Sequence, residues 1–220
     1  MNVPETVILS TSYLAPVQYY CKLSGYKNIL IEAFENYSKQ SYRNRCVILG
    51  ANGPLTLSIP VKRNNCIKIH TRDIKIDYNS RWQSVHWRAI ESAYRSSPFF
   101  IYYADDIEPF YRKKIEFLMD YNTQLQEKIL NQLNLKPEII FTHEYIYTTE
   151  NMDDYRDTIH PKQRMQRSDV NFSPQAYYQV FENKFGFVLN LSIIDLLFNM
   201  GPSAVEMLKS STNLCAPSYS

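Results

Sequence analysis

Two short apolar runs with one brief helical segment between them constrain the fold more than any other feature of the chain. Val7-Ile8-Leu9 is closed by the turn-forming stretch Ser10-Thr11-Ser12, and Ile29-Leu30-Ile31 is a second continuous run. Between them Pro16 opens, and Gly25 ends, a segment of about two to three helical turns, because proline suits the start of a helix and glycine its end. Runs that are apolar at successive positions bury both faces, as strands of a parallel sheet do, so the pattern reads as a βαβ unit. Ligands of open α/β sheets collect beyond the carboxyl ends of the strands. That rule points to two loops, residues 10–15 and 32–40.

From Tyr42 the side chains divide by period two. Arg43, Arg45, Val47 and Leu49 share one face and Tyr42, Asn44, Cys46 and Ile48 the other, both turning apolar after residue 45. Asn52-Gly53 follows as a turn signal, and Leu55, Leu57, Ile59 and Val61 then alternate with polar residues and Pro60. An antiparallel hairpin is expected. Ile67 and Ile69 share one phase and Ile74 and Ile76 the other, which predicts one more strand, or two, broken near Thr71-Arg72. The period then changes. Trp82, Val85, His86, Ala89, Ile90 and Ala93 fall at helical spacing with Pro98 beyond, and a stripe from Ile107 through Leu118 and Asn122 to Ile129 predicts a longer helix. Ser192-Ile193-Ile194-Asp195 has the form of a capping box before a helix that Gly201-Pro202 stops, and a last short helix follows. The expected fold class is α/β: a mixed sheet with an N-terminal βαβ unit and an antiparallel hairpin, plus a helical portion. One domain over 1–220 is expected, α/β over about 1–80 and helical over about 81–212.

Charge and composition exclude several functions. The 24 Lys+Arg against 22 Asp+Glu leave a net charge of +2, far from the basic footprint of a nucleic-acid binder. The N-terminus lacks the basic start and long apolar stretch of a leader, and no segment approaches the roughly 18 apolar residues of a membrane span, so a cytoplasmic location is expected. Cys21, Cys46, Cys66 and Cys215 are scattered without a C-x-x-C pair and His70, His86, His143 and His160 without H-x-x-x-H spacing. Buried reduced thiols are expected, no structural metal is, and no cofactor is named.

The residues with chemistry on offer are few. Arg43-Asn44-Arg45 carries two guanidinium forks suited to phosphate or carboxylate. Ser10, Thr11 and Ser12 precede the helix opening at Pro16, where free N–H groups favour an anion. Tyr13 and Tyr42 offer stacking faces. The alternative is structural: Arg45 pairs with a carboxylate and the hydroxyls cap the helix. His86 is the candidate general base, with Trp82, Tyr94 and Phe99 as a partly desolvated wall, although a histidine on an apolar helical face is more often a hydrogen-bonded core residue. His160 is expected at the surface beside Lys162 and Arg164, and Asp195 as a cap. The irregular, charged region 148–175 reads either as a mobile surface loop or as a lid over a site. P-loop, G-x-G-x-x-G and Ser-His-Asp patterns are absent.

Several stretches together resemble the WbqC-like protein family. "SYLAPVQYYCKL" is similar to its Y-L-P-W-x-x-Y-F segment, "ENYSKQSYRNRCVILGANGPLTLSIPV" to its aromatic stretch ending in nRN-x-I…G…L-t-x-P-V, and "YYQVFENKFGFVLNLSIIDLLFNMGP" to its C-terminal motif. "HWRAIESAYRSSPFF" also fits its H…Y…sPyF element. The chain departs in carrying Leu9-Ser10-Thr11-Ser12 where members often have a His-Gln-Pro-like run, and "RDTIHPKQR" in place of a Gly-rich Y-x-S-G loop. The resemblance implies a part in bacterial surface-polysaccharide (O-antigen) biosynthesis and a transferase role, such as placing an aminoacyl or similar group on a sugar. The combined expectation is a group transferase acting on a sugar nucleotide or phosphosugar. Arg43, Arg45 and Ser10-Thr11-Ser12 would hold its anionic moiety and His86 would manage a proton. A noncatalytic ligand-binding or assembly accessory of an envelope pathway is the alternative.

Overall fold

The computed structural model describes residues 4–62 and 68–213; Cys66, Ile67 and Cys215 lie outside the described residues. The first apolar run forms β1 (Thr6–Ser10), the segment after Pro16 forms α1 (Val17–Gly25), and the second run forms β2 (Asn28–Glu32), parallel to β1 with Ile8 opposite Leu30. Two later strands complete this sheet. β5 (Glu138–Phe141) lies outside β2 and β6 (Met152–Asp154) lies on the other flank of β1, giving the all-parallel order β5-β2-β1-β6. β1 is therefore internal to the sheet, with Val7, Ile8 and Leu9 all at zero exposure.

The hairpin is β3 (Arg45–Gly50) and β4 (Gly53–Ser58), antiparallel about Ala51-Asn52. It forms its own two-stranded ladder and does not join the parallel sheet. Cys46, Ile48 and Leu57 point into the core while Leu55 is exposed. Tyr42, Arg43 and Asn44 precede the strand, so the chain there is a turn; Asn44 donates to the Ile59 carbonyl and Ile59 N–H to the Asn44 carbonyl.

No strand forms over the described part of 68–76. Thr71–Asp73 is a single 3₁₀ turn, and the N–H groups of Thr71 and Arg72 bond to the carbonyls of Glu35 and Ala33, so this segment braces the loop after β2. Ile76 and Lys75 make only isolated bridges, to Val61 and Phe117. The helix after Arg81 is α2 (Trp82–Tyr94). Of the helix expected from Ile107 to Ile129 only the second half forms, as α4 (Leu118–Gln132); α3 (Phe100–Ile107) ends where that stripe begins, and a 3₁₀ turn over Glu108–Tyr111 follows it. Pro109 is the cause, because it lacks an N–H and its ring clashes with the carbonyl four residues back. α4 restarts where Leu118 N–H bonds to the Ile74 carbonyl.

A short α5 (Glu182–Phe185) precedes α6 (Ile193–Met200) and α7 (Ala204–Ser210). Ser192 and Asp195 do not form a capping box. The Ser192 hydroxyl donates to the Leu14 carbonyl, and the Asp195 carboxylate lies inside the core, accepting from Tyr177 and Gln179. Burial raises the Asp195 pKa to about 6 against the pull of those donors. Tyr13, Tyr20, Tyr94, Tyr121 and Phe198 fill the centre of the molecule, which accounts for much of the excess of tyrosine.

The region 148–175 is anchored. It begins with β6, and Tyr155, Arg156, Thr158, Ile159 and His160 are all buried. Farther along, Asp169 receives hydrogen bonds from Lys22 and Gln18 of α1 and from Tyr155, with Lys22 at zero exposure.

Two substitutions test these constraints. Gly201 has φ +54°, and an added Cβ would lie 2.5 Å from the Phe99 ring, so Gly201→Ala is expected to cost about 2 kcal/mol or more and to lower the thermal midpoint. Asp169→Ala strands a buried ammonium and is expected to cost about 3–5 kcal/mol in denaturant unfolding. The double variant Lys22→Met/Asp169→Leu should recover most of that loss.

Candidate functional site

The order β5-β2-β1-β6 sets the position of the site. From β1 the chain winds through α1 to β2 on one side, and only much later places β6 on the other, so the direction of winding reverses between β1 and β6. A crevice opens at the carboxyl ends of two such strands. Here it lies beyond Ser10 and Asp154, lined by Ser10, Thr11, Ser12, Tyr19, Tyr42, Arg43, Tyr155, Arg156 and Ile159. Its enclosed part is about 10 Å³, the room of one water-sized sphere, and the free space out to the mouth is about 250 Å³. The enclosed part is far below the roughly 300 Å³ at which sites for drug-sized ligands begin, and it takes a single small polar atom or a water.

Five residues expected to contact substrate line this cleft together: Ser10, Thr11, Ser12, Tyr42 and Arg43. The hairpin's leading residues reach the end of β1 through several bonds. Ser12 Oγ donates to the Tyr42 carbonyl at 3.3 Å, Tyr13 N–H donates to the same carbonyl at 2.9 Å, and Asn122 Nδ2 donates to Thr11 Oγ1 and to the Arg43 carbonyl. The polar Asn122 on the apolar stripe of α4 is thus a clasp between the two loops.

The two arginines differ in what they have left to give. Arg43 donates from Nε to Glu35 Oε1 at 2.6 Å and from Nη2 to Glu35 Oε2 and to Ser10 Oγ, while Ser10 Oγ donates to Glu35 Oε2. A guanidinium has five N–H donors, and among the described residues Nη1 of Arg43 donates to no protein atom. Arg156 has nothing spare. Its Nε meets Asp154, Nη1 meets Glu32 and the Ile146 carbonyl, and Nη2 meets Asp154 and Thr148. Arg156 fastens the ends of β2 and β6 and the loop at Ile146. Arg43 keeps one nitrogen uncommitted among the described residues.

Glu32, Glu35 and Asp154 face these two guanidiniums, so the ion-paired groups around the cleft carry one more negative charge than positive. The attraction on offer is directional hydrogen bonding and not a general positive field. Arg45 starts β3 half-buried and does not line the cleft, and its Nε has no partner. Both Arg43 and Arg45 act on Tyr37, whose pKa burial pushes up to about 12 against their pull. Burial likewise holds the Tyr42 hydroxyl up at about 12, so it is neutral at physiological pH.

Tyr13, Asn44 and His86 are placed elsewhere. Asn44 is spent on the Ile59 carbonyl, and Tyr13 is sealed in the core, its hydroxyl 3.0 Å from His86 Nδ1 and 2.9 Å from the Tyr111 hydroxyl. His86 packs edge-on against Trp82 and stacks with Tyr13, away from the cleft lining. Burial lowers its pKa to about 4, opposed by a backbone hydrogen bond with Ser58. The geometry gives His86 the place of a core histidine, since a general base must reach the proton it removes. His160, by contrast, is buried and not at the surface. It lies next to cleft-lining Ile159 in the field of Arg43, and burial lowers its pKa. Lys162 N–H donates to its Nδ1, so the neutral ring carries its proton on Nε2.

Arg156 and Tyr155 enter the site through β6, whose sequence Met152-Asp153-Asp154 has no apolar run to announce a strand. β5 has such a signal in Ile139-Ile140-Phe141. Among the described residues no group of three or more His, Cys, Asp or Glu is placed to hold a metal ion, and no helix is long and apolar enough to cross a membrane.

The His86 environment predicts a definite titration. Its folded pKa lies below the ordinary value of 6.5, so its contribution to stability is present above that value and is lost as pH falls through about 4. Imidazole resonances of His86 are expected to stay constant from pH 8 to about pH 5 in an NMR titration. A midpoint near neutrality would mean that the ring is solvated.

The chain is 22% identical to an uncharacterized protein of Mycobacterium tuberculosis, Rv1507c, over 93% of its own length and 97% of that protein's. No solved structure matches it. A model of the WbqC-like protein family matches residues 11–167, which takes in the cleft loops, the hairpin, α2 to α4 and β6 and stops before Tyr177–Pro202. With most of its length matched by that model, the chain belongs to the WbqC-like protein family.

Proposed function

We propose that the cleft at the end of β1 and β6 holds the phosphate of a sugar nucleotide or phosphosugar, and that the chain is a group transferase of bacterial cell-surface polysaccharide (O-antigen-like) biosynthesis. One observation carries the binding half of this reading. Arg43 is clamped by Glu35 and Ser10 so that, among the described residues, one of its nitrogens stays uncommitted, and Arg43 lines the same cleft as Thr11, Ser12 and Tyr42. A guanidinium whose geometry is set in advance loses little freedom on binding an oxyanion. The enclosed part of the cleft takes one phosphate oxygen, and the rest of the ligand lies at and outside its mouth. Membership of the WbqC-like family supports the polysaccharide context.

A second reading has its own support: a noncatalytic protein that binds the same ligand for an envelope pathway. His86, the general-base candidate, is walled into the core, and the cleft lining contains no imidazole. Product formation from a sugar nucleotide and an acyl donor separates the two readings.

Binding is tested with Arg43→Lys, which preserves the charge facing Glu35 but has no second nitrogen to offer. A variant with an unchanged thermal midpoint is expected to bind sugar nucleotides roughly tenfold more weakly by calorimetry or thermal shift, the worth of one charge-assisted hydrogen bond. Equal affinity in the two proteins, or no binding by either across sugar nucleotides and phosphosugars, would overturn the reading.

A further inference from the structure

The loop that follows β5 presents two tyrosines to solvent in a fixed arrangement. Tyr147 is 80% exposed and Tyr145 43% exposed, and their rings meet edge to face with centroids 5.1 Å apart and planes at 78°. The peptide between them is gripped on both sides by groups of the site. Ile146 N–H donates to Glu32 at 2.8 Å, and Arg156 donates to the Ile146 carbonyl at 2.9 Å. Thr142 at one end of the loop donates to Glu32, and Thr148 at the other donates to Asp154. The Arg156 guanidinium also lies over the Tyr145 ring, 4.8 Å from its centroid, and Arg156 is itself part of the cleft wall. One saturated arginine thus sets both the cleft and the aromatic pair.

Large exposed rings lose area to water without packing, and here two are exposed together on a loop held at both ends and in its middle. From this we infer that Tyr145 and Tyr147 form a ring-stacking subsite for the part of the ligand that lies outside the cleft mouth. The inference rests on the proposal that a phosphate occupies the cleft, and it names the other half of the ligand: a flat ring joined to that phosphate, either a nucleobase or the apolar face of a pyranose. Tyr147 supplies the open face. Tyr145, backed by Arg156, supplies the side wall. The small enclosed volume of the cleft then has a reason, since only one oxygen of the anionic group enters it.

The experiment titrates the full chain with inorganic phosphate, a hexose 1-phosphate and uridine diphosphate, in wild type, Tyr147→Ala, Tyr147→Phe and Arg43→Lys. Tyr147 is a surface side chain, so its variants are expected to keep the wild-type thermal midpoint. Ring-bearing probes should bind wild type more tightly than phosphate does. Tyr147→Ala should lose roughly tenfold toward them with no change toward phosphate, and Tyr147→Phe should retain the affinity. A preference for uridine diphosphate assigns the subsite to a base, and a preference for the hexose 1-phosphate assigns it to a sugar. If phosphate binds and responds to Arg43→Lys while the ring-bearing probes gain nothing or ignore Tyr147→Ala, the stacking subsite is refuted and the phosphate cleft stands. If none of the probes binds wild type, the phosphate cleft is refuted and the stacking subsite with it.

Discussion

Glu35 and Arg43 meet in a buried, two-pronged ion pair, and Ser10 closes it by donating to the acid and accepting from the base. Three segments meet at this cluster: the exit of β1, the loop after β2 and the turn before the hairpin. The hairpin has no ladder bonds to the parallel sheet, so the pair, with the Asn122 clasp beside it, joins the two sheets on the polar side. A buried pair of this kind returns its desolvation cost only when its remaining donors and acceptors are met, and Ser10 meets one of them. The pair is therefore more informative about register than about net stability. It fixes which end of the hairpin lies over which end of the sheet.

The same device recurs wherever an irregular segment must be held against a regular one. Arg156 ties β6 to Glu32 at the end of β2, and Asp169 ties the chain beyond β6 to Lys22 on α1. Asp195 ties the start of α6 to Tyr177 and Gln179. Each is a charge at or near zero exposure whose partners come from a different element. Apolar packing alone would leave such loops free to slide, because it is non-directional. Hydrogen-bonded charge in a low-dielectric interior is directional and intolerant of displacement. A site assembled from loops gains its precision in this way.

The parts of the fold that could be read in advance are those with a local physical signature. β1, α1 and β2 follow from two β-branched runs around a proline-led helix, the hairpin from Asn52-Gly53 between alternating strands, and α2 from its helical spacing. The long stripe from Ile107 to Ile129 misleads because periodicity continues across Pro109, where the backbone cannot. Ser192 and Asp195 mislead because their spacing suits a cap while their oxygens have better partners in the core. His160 looks like a surface residue from its charged neighbours, yet it is buried where the chain turns inward after β6.

By itself the sequence determined the α/β class, the central βαβ unit, the hairpin and the loop at Ser10–Ser12, because backbone propensity and hydrophobic period act between residues close together in the chain. It also determined family membership, which needs only the order of residue types. The tertiary structure decided which charges remain available. Arg43, Arg45 and Arg156 are equivalent as letters, but one has a free nitrogen in a cleft, one lies outside it and one is saturated. His86 and Tyr13 carry the chemistry of a site and occupy the core. The reason is that a hydrogen-bonding group is defined functionally by what already satisfies it, and the bonds of Ser10 to Glu35, Arg156 to Glu32 and Ser10 to Arg156 join residues 25, 124 and 146 positions apart.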